Sequence, residues 1–214
     1  MTHSTFLSYF LFTLFIVFGT ANSLAENNKA VRDSNNKKLH AGERYFILPS
    51  GRGFGGGITL NPENDSGTCT SGVVQDPEEA STGISVTFMP VDVKKGIIQL
   101  LTDINIKFSS PDAESRNGSY CESSLVWKLG DYNDVVKQYF VTTGGMEGNP
   151  DAGNVGSWFK IERYEKYYNI MFCPTICQFC KVLCRNVGLY VNDDGVRSLA
   201  LSDTPFVIMF QKVE

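Results

Sequence analysis

Apolar residues along this chain follow two patterns. From Phe6 to Phe18 they run almost unbroken, interrupted only by Ser8, Tyr9 and Thr13. Beyond Ala25 they come in short runs that alternate with polar residues and end at Gly, Pro, Asn or Asp. Alternation with a period of two marks half-buried strands. It predicts strands over residues 44–48, 57–60, 84–89, 97–101, 104–108, 125–129, 138–142, 158–163, 167–172, 187–191, 198–201 and 206–211. Asp194-Gly195, set between Leu189-Tyr190-Val191 and Ser198, is a strong hairpin signal. No later stretch keeps a helical period for three turns, so the class is all-β, a barrel or sandwich of short strands. Phe46-Ile47-Leu48, Val126-Trp127-Lys128-Leu129 and Trp158-Phe159-Lys160-Ile161 are loosely alike, but their spacing is irregular and does not establish a repeat.

The first apolar run is shorter than the roughly 20 residues that span a bilayer, and small residues follow it. It reads as the core of a secretory signal over residues 1–25, cleaved near 23–25, although no Lys or Arg precedes it. An uncleaved anchor is the alternative. Residues 26–214 then suffice for a single domain with one good-sized core, and nothing resembles an interdomain linker. No charged side chain precedes Glu26, so the mature chain keeps 19 basic and 23 acidic residues and a net charge of −4. That balance gives no electrostatic reason for a nucleic acid or anionic membrane partner.

The leader changes how the six cysteines are read. In an oxidising compartment an even set points to disulfides. Cys173, Cys177, Cys180 and Cys184 form a symmetric C-x3-C-x2-C-x3-C cluster, which admits nested rings or crossed pairing, and Cys69 and Cys121 stand apart. A four-cysteine zinc site usually has two C-x2-C knuckles with a longer spacer, and a redox pair sits beside a βαβ unit; neither context is present. No metal site and no cofactor are expected.

Catalysis finds little support either. Once the leader is removed, His40 is the only histidine, and no G-x-S-x-G elbow accompanies it. Gly51-Arg52-Gly53-Phe54-Gly55-Gly56 matches G-x-G-x-x-G in form, but strand-like Ile58-Thr59-Leu60 follows where a phosphate site needs a helix. Two sequons, at Asn64 and Asn117, lie in polar stretches beside Cys69 and Cys121 and are candidate glycosylation sites. Tyr164, Tyr167 and Tyr168 are expected to cover the barrel rather than form a ligand patch.

Several stretches resemble the plant Kunitz (soybean trypsin inhibitor type) family. They are Val31-Arg32-Asp33, Tyr45-Phe46-Ile47-Leu48-Pro49, Gly55-Gly56-Gly57, Val73-Val74-Gln75, Thr102-Asp103-Ile104-Asn105-Ile106-Lys107-Phe108 and Trp158-Phe159-Lys160-Ile161-Glu162. The last third, from Phe172-Cys173-Pro174 to Phe210, is most similar to the miraculin-like branch. The resemblance implies a β-trefoil of twelve short strands, six in a barrel and six in capping hairpins. It further implies a Cys69–Cys121 bridge and nested Cys173–Cys184 and Cys177–Cys180 bridges. By chain entropy the Cys69–Cys121 bridge would contribute about 4 kcal/mol and the Cys173–Cys184 bridge about 3 kcal/mol.

In function, the resemblance implies a secreted, monomeric peptidase inhibitor of the apoplast or vacuole, whose partner is a serine or cysteine endopeptidase. Its reactive loop would be Met89, Pro90, Val91, Asp92, Val93, Lys94 and Lys95. Counting from Pro90 as in trypsin-inhibiting relatives puts Asp92 at the specificity position P1. Trypsin reads P1 with a buried Asp, so that register opposes trypsin inhibition. A shifted register would offer Lys94 or Lys95. The relatives' Asn that props this loop corresponds to Ala41 here, which has no side-chain donor or acceptor. His40 is read as a plain surface histidine. A non-inhibitory binding, storage or defence protein on the same fold is the alternative.

Overall fold

The computed structural model describes residues 29–61, 71–109 and 125–214. Residues Val31–Glu214 form one compact unit. Twelve strands are described: β1 (Tyr45–Pro49), β2 (Ile58–Leu60), β3 (Val73–Gln75), β4 (Val86–Pro90), β5 (Ile104–Phe108), β6 (Lys128–Asn133), β7 (Gln138–Thr142), β8 (Lys160–Tyr164), β9 (Tyr167–Phe172), β10 (Arg185–Val191), β11 (Arg197–Ser202) and β12 (Ile208–Lys212).

Six of them close into a ring of antiparallel pairs. β1 pairs with β4 and β12, β4 with β5, and β9 with β8 and β12. The ring is completed between β5 and the start of β8, where Ile104 and Phe159 exchange two 2.9 Å main-chain hydrogen bonds. Closure leaves these strands without a free edge. The other six form hairpins β2–β3, β6–β7 and β10–β11, and β11 touches both β3 and β7 to knit them together. The architecture is a β-trefoil, as the family resemblance implies.

Inward alternation fills the barrel. On β4, Val86, Phe88 and Pro90 are buried while Thr87 and Met89 are half-exposed. Phe88 meets Phe210 edge-on with centroids 5.5 Å apart, and Trp127 packs between Phe108 and Phe159. Each such side chain contributes about 1.5–3 kcal/mol by leaving water. Tyr168 is buried against Phe210, Tyr167 is half-buried and Tyr164 stays exposed.

Two strand expectations need correction. Residues 97–101 form no ladder strand; Ile98 is buried, but its N–H and C=O bond the main chain of Leu39 and Val31, and Leu101 turns away with φ 59°. Conversely, Val73–Gln75 is a strand, although its three residues are too short a run to show alternation. The segment expected at 125–129 contributes only its end, because β6 starts at Lys128.

Disulfides Cys173–Cys184 and Cys177–Cys180 are both formed, so the nested pairing holds and these sulfurs are not thiolate metal ligands. Cys69, Cys121, Asn64 and Asn117 lie outside the described residues, as does the expected leader over residues 1–25. Among the described residues no helix is long and apolar enough to cross a membrane.

Candidate functional site

β4 leads out of the barrel into the expected reactive loop. Pro90 faces inward and is buried, and Met89 is half-buried. Beyond Pro90, Val91 (41%), Asp92, Val93 (61%) and Lys94 project into solvent. The ladder with β5 extends one residue further, because the Val91 N–H donates to the Asp103 carbonyl at 2.9 Å. Asp92 then caps a short 3-10 turn, Val93–Lys95, its carboxylate accepting from the Lys94 N–H at 3.3 Å. Gly96 ends the turn with φ 61°, a left-handed conformation that favours glycine.

The turn His40-Ala41-Gly42 clamps the loop from the other side. The Ala41 N–H donates to the Gly96 carbonyl at 2.9 Å and the Gly42 N–H to the Phe88 carbonyl at 3.2 Å. Both ends of the exposed segment are thus tied by main-chain bonds. The clamp is held from below by Tyr45, a fully buried ring whose hydroxyl accepts from the His40 N–H at 2.9 Å and donates to Glu43 at 2.9 Å. Burial pushes the Tyr45 phenol up to about 12; the His40 N–H opposes the rise and the Glu43 carboxylate adds to it. Glu43 in turn is held below the usual carboxylate range by the Lys212 ammonium, 2.7 Å away, and by the Tyr45 hydroxyl. The His40 side chain is exposed, as expected.

Asp103 joins this loop to the cysteine cluster. Its carbonyl anchors Val91, while its buried carboxylate accepts from the Thr175 hydroxyl at 2.6 Å and from the Thr175 N–H at 3.1 and 3.2 Å. Lys160, also buried, donates to the Thr175 hydroxyl at 3.1 Å and lies 3.8 Å from Asp103. Sequence reading gave Asp103 and Lys160 no role. The only signal was an acid and a base at the edges of apolar strands, which does not say that they meet.

Residues 31–212 match the legume Kunitz family model, described as "Trypsin and protease inhibitor". The chain belongs to the Kunitz inhibitor family. It is similar to "Kunitz trypsin inhibitor 5" of Arabidopsis thaliana, with 45% identity over 182 residues and 85% of each chain covered. It is also similar to "Miraculin" of Synsepalum dulcificum, with 40% identity over 188 residues covering 85% of this chain and 82% of that one. Among solved structures, the Kunitz-type cysteine protease inhibitor PCPI-3 from potato superposes with a TM-score of 0.71 at 32% identity, covering 86% of this chain and 97% of that one. Membership places this Kunitz chain among inhibitors rather than enzymes.

Its departures from the family pattern now have a setting. Where the resemblance implies a propping Asn, Ala41 packs half-buried against the core, and only its main chain holds the loop. The Asp92 side chain is exposed, and its carboxylate accepts from the Lys94 N–H at 3.3 Å.

Proposed function

We propose that this Kunitz chain is a secreted endopeptidase inhibitor that presents Met89–Lys95 to the enzyme, with Val91–Lys94 as the contact segment. The observation that carries this reading is an exposed segment tied at both ends by the hydrogen bonds of Ala41, Gly42 and Val91. A segment already held loses little conformational entropy on docking, so more of the contact energy is left as affinity. Residues 1–25 act as the leader, which directs the chain to the apoplast or vacuole, and intact-mass analysis reads both the cleavage point and glycans on Asn64 and Asn117. The inhibitor acts as a monomer on a serine or cysteine endopeptidase.

Register sets the target. With Asp92 at P1 an acid faces the acid of a trypsin pocket, whereas Lys94 or Lys95 at P1 suits it. Incubating the purified protein with trypsin, chymotrypsin and papain, and sequencing any clipped bond, tests the reading and fixes the register. If Asp92 is P1, Asp92→Arg lowers the trypsin inhibition constant by about tenfold or more, since a desolvated charge pair replaces a repulsion; an unchanged constant removes Asp92 from P1. Ala41 and Asp92 favour the second reading, a non-inhibitory binding, storage or defence protein. Failure to inhibit all three enzymes selects it.

A further inference from the structure

We propose that the Cys177–Cys180 ring provides a second contact for the peptidase held at Val91–Lys94, with Phe179 as an anchor entering an apolar, aromatic-accepting pocket outside the enzyme's cleft. This rests on the inhibitory reading above.

Phe179 is 87% exposed, the most exposed aromatic among the described residues. A single exposed apolar side chain is ordinary; its mounting is what sets this one apart. It sits in a covalent ring closed by Cys177–Cys180, itself enclosed by Cys173–Cys184. Two nested closures remove most of the backbone freedom that a docking loop would otherwise lose. Leu183, within the outer ring, is also exposed at 42%, and Lys181 is the only charged residue from Phe172 to Cys184. The ring thus presents an apolar tip with one basic neighbour.

Its position points to the same partner. Thr175, within the outer ring, is fastened to the carboxylate of Asp103, whose carbonyl fastens Val91. Val91 and Thr175 are therefore anchored on one buried residue, which brings the roots of the two exposed segments together. Phe179 is not itself a second scissile position. The Cα atoms of Cys177 and Cys180 are 5.4 Å apart, a turn, whereas three residues of extended chain, the form a cleft reads, span about 10 Å. The ring is also too small to supply the roughly 800 Å² per partner of a standard interface, so it is an accessory to a larger contact rather than a dimer seam.

The test compares the purified protein with Phe179→Ala and Phe179→Lys against trypsin, chymotrypsin and papain, with unfolding midpoints and sedimentation in parallel. For whichever enzyme the wild type inhibits, both variants should raise the inhibition constant about tenfold or more, mainly through faster dissociation, with unchanged unfolding midpoints. Phe179→Leu should recover most of the loss. Unchanged constants in both variants, with the wild type inhibiting, overturn this assignment and leave the loop reading standing. A concentration-dependent dimer that Phe179→Ala abolishes also overturns it, by making a second copy the occupant. Inhibition of none of the three enzymes removes the inhibitory reading and this one with it.

Discussion

Tyr45 links the barrel interior to the loop clamp, and its titration reports on both. Its phenol value is raised from 10.0 to about 12 in the folded chain. Between those values the folded state keeps a proton that the unfolded state has released, so stability falls as pH rises through that window. The Tyr45 contribution to stability against denaturant should be level up to about pH 10 and then decline, with phenolate absorbance of one tyrosine appearing late. Tyr45→Phe should abolish that late step and loosen the His40–Gly42 clamp; a variant with the wild-type alkaline profile would exclude Tyr45 as its source. Glycines give a second contrast. A Cβ on Gly57 would lie 2.0 Å from the Thr82 carbonyl oxygen, whereas one on Gly96 meets nothing within 4 Å and bears only the strain of φ 61°. Gly57→Ala should therefore cost about 1–3 kcal/mol or more by overpacking, and Gly96→Ala about 1–2 kcal/mol. Thermal unfolding of the two variants would rank them.

At the scale of elements, the Asp103–Lys160–Thr175 knot couples β5, β8 and the cysteine rings. Replacing Asp103 with Asn keeps the shape but leaves the Lys160 ammonium buried beside a neutral amide. Breaking one side of a buried pair costs about 3–5 kcal/mol, and Thr175 also loses its charged acceptor. Asp103→Asn should lower the unfolding midpoint and speed proteolysis of residues 174–183, whereas Asp103→Asn with Lys160→Met should recover part of the stability. Equal stability of the single and double variants would show that the pair is uncoupled. Strand legibility follows the same division between local pattern and long-range contact. β5, β7 and β9 were read to the residue, because each presents apolar side chains to the core between clear breakers. β3 was missed because its pairing with β2 and β11, rather than its three residues, defines it. Residues 97–101 look like a strand because Ile98 is apolar, but it joins the core with Val31 and Leu39 and bonds their main chains outside any ladder strand. The fragments around Phe46, Trp127 and Trp158 are not a repeat unit; they fall on β1, just before β6 and at the start of β8, which hold different places in the trefoil.

For the whole molecule, the closed ring of β1, β4, β5, β8, β9 and β12 is the frame from which the loop and the cysteine rings project. Cys173 follows β9 and Cys184 precedes β10 directly, where Phe172 already pairs with Arg185. The outer bridge therefore fastens a local excursion rather than the barrel. Replacing Cys173 and Cys184 with Ala should cost no more than about 3 kcal/mol and leave the near-ultraviolet circular dichroism of the core aromatics intact. Collapse of that signal would mean that the rings hold the barrel together.

The strand-rich class, the disulfide chemistry, the family and the segment that carries the candidate loop are legible in the residues before any folding is known. Each of these is written in neighbouring residues: alternation, turn breakers, cysteine spacing, a proline at a strand end. Only the folded chain turns Pro90 inward, sets main-chain bonds from Ala41 and Gly42 where a side-chain prop is implied, and ties the loop to the rings through Asp103. These contacts join residues far apart in the chain, and a barrel closed by hydrogen bonds between distant strands is what brings them together.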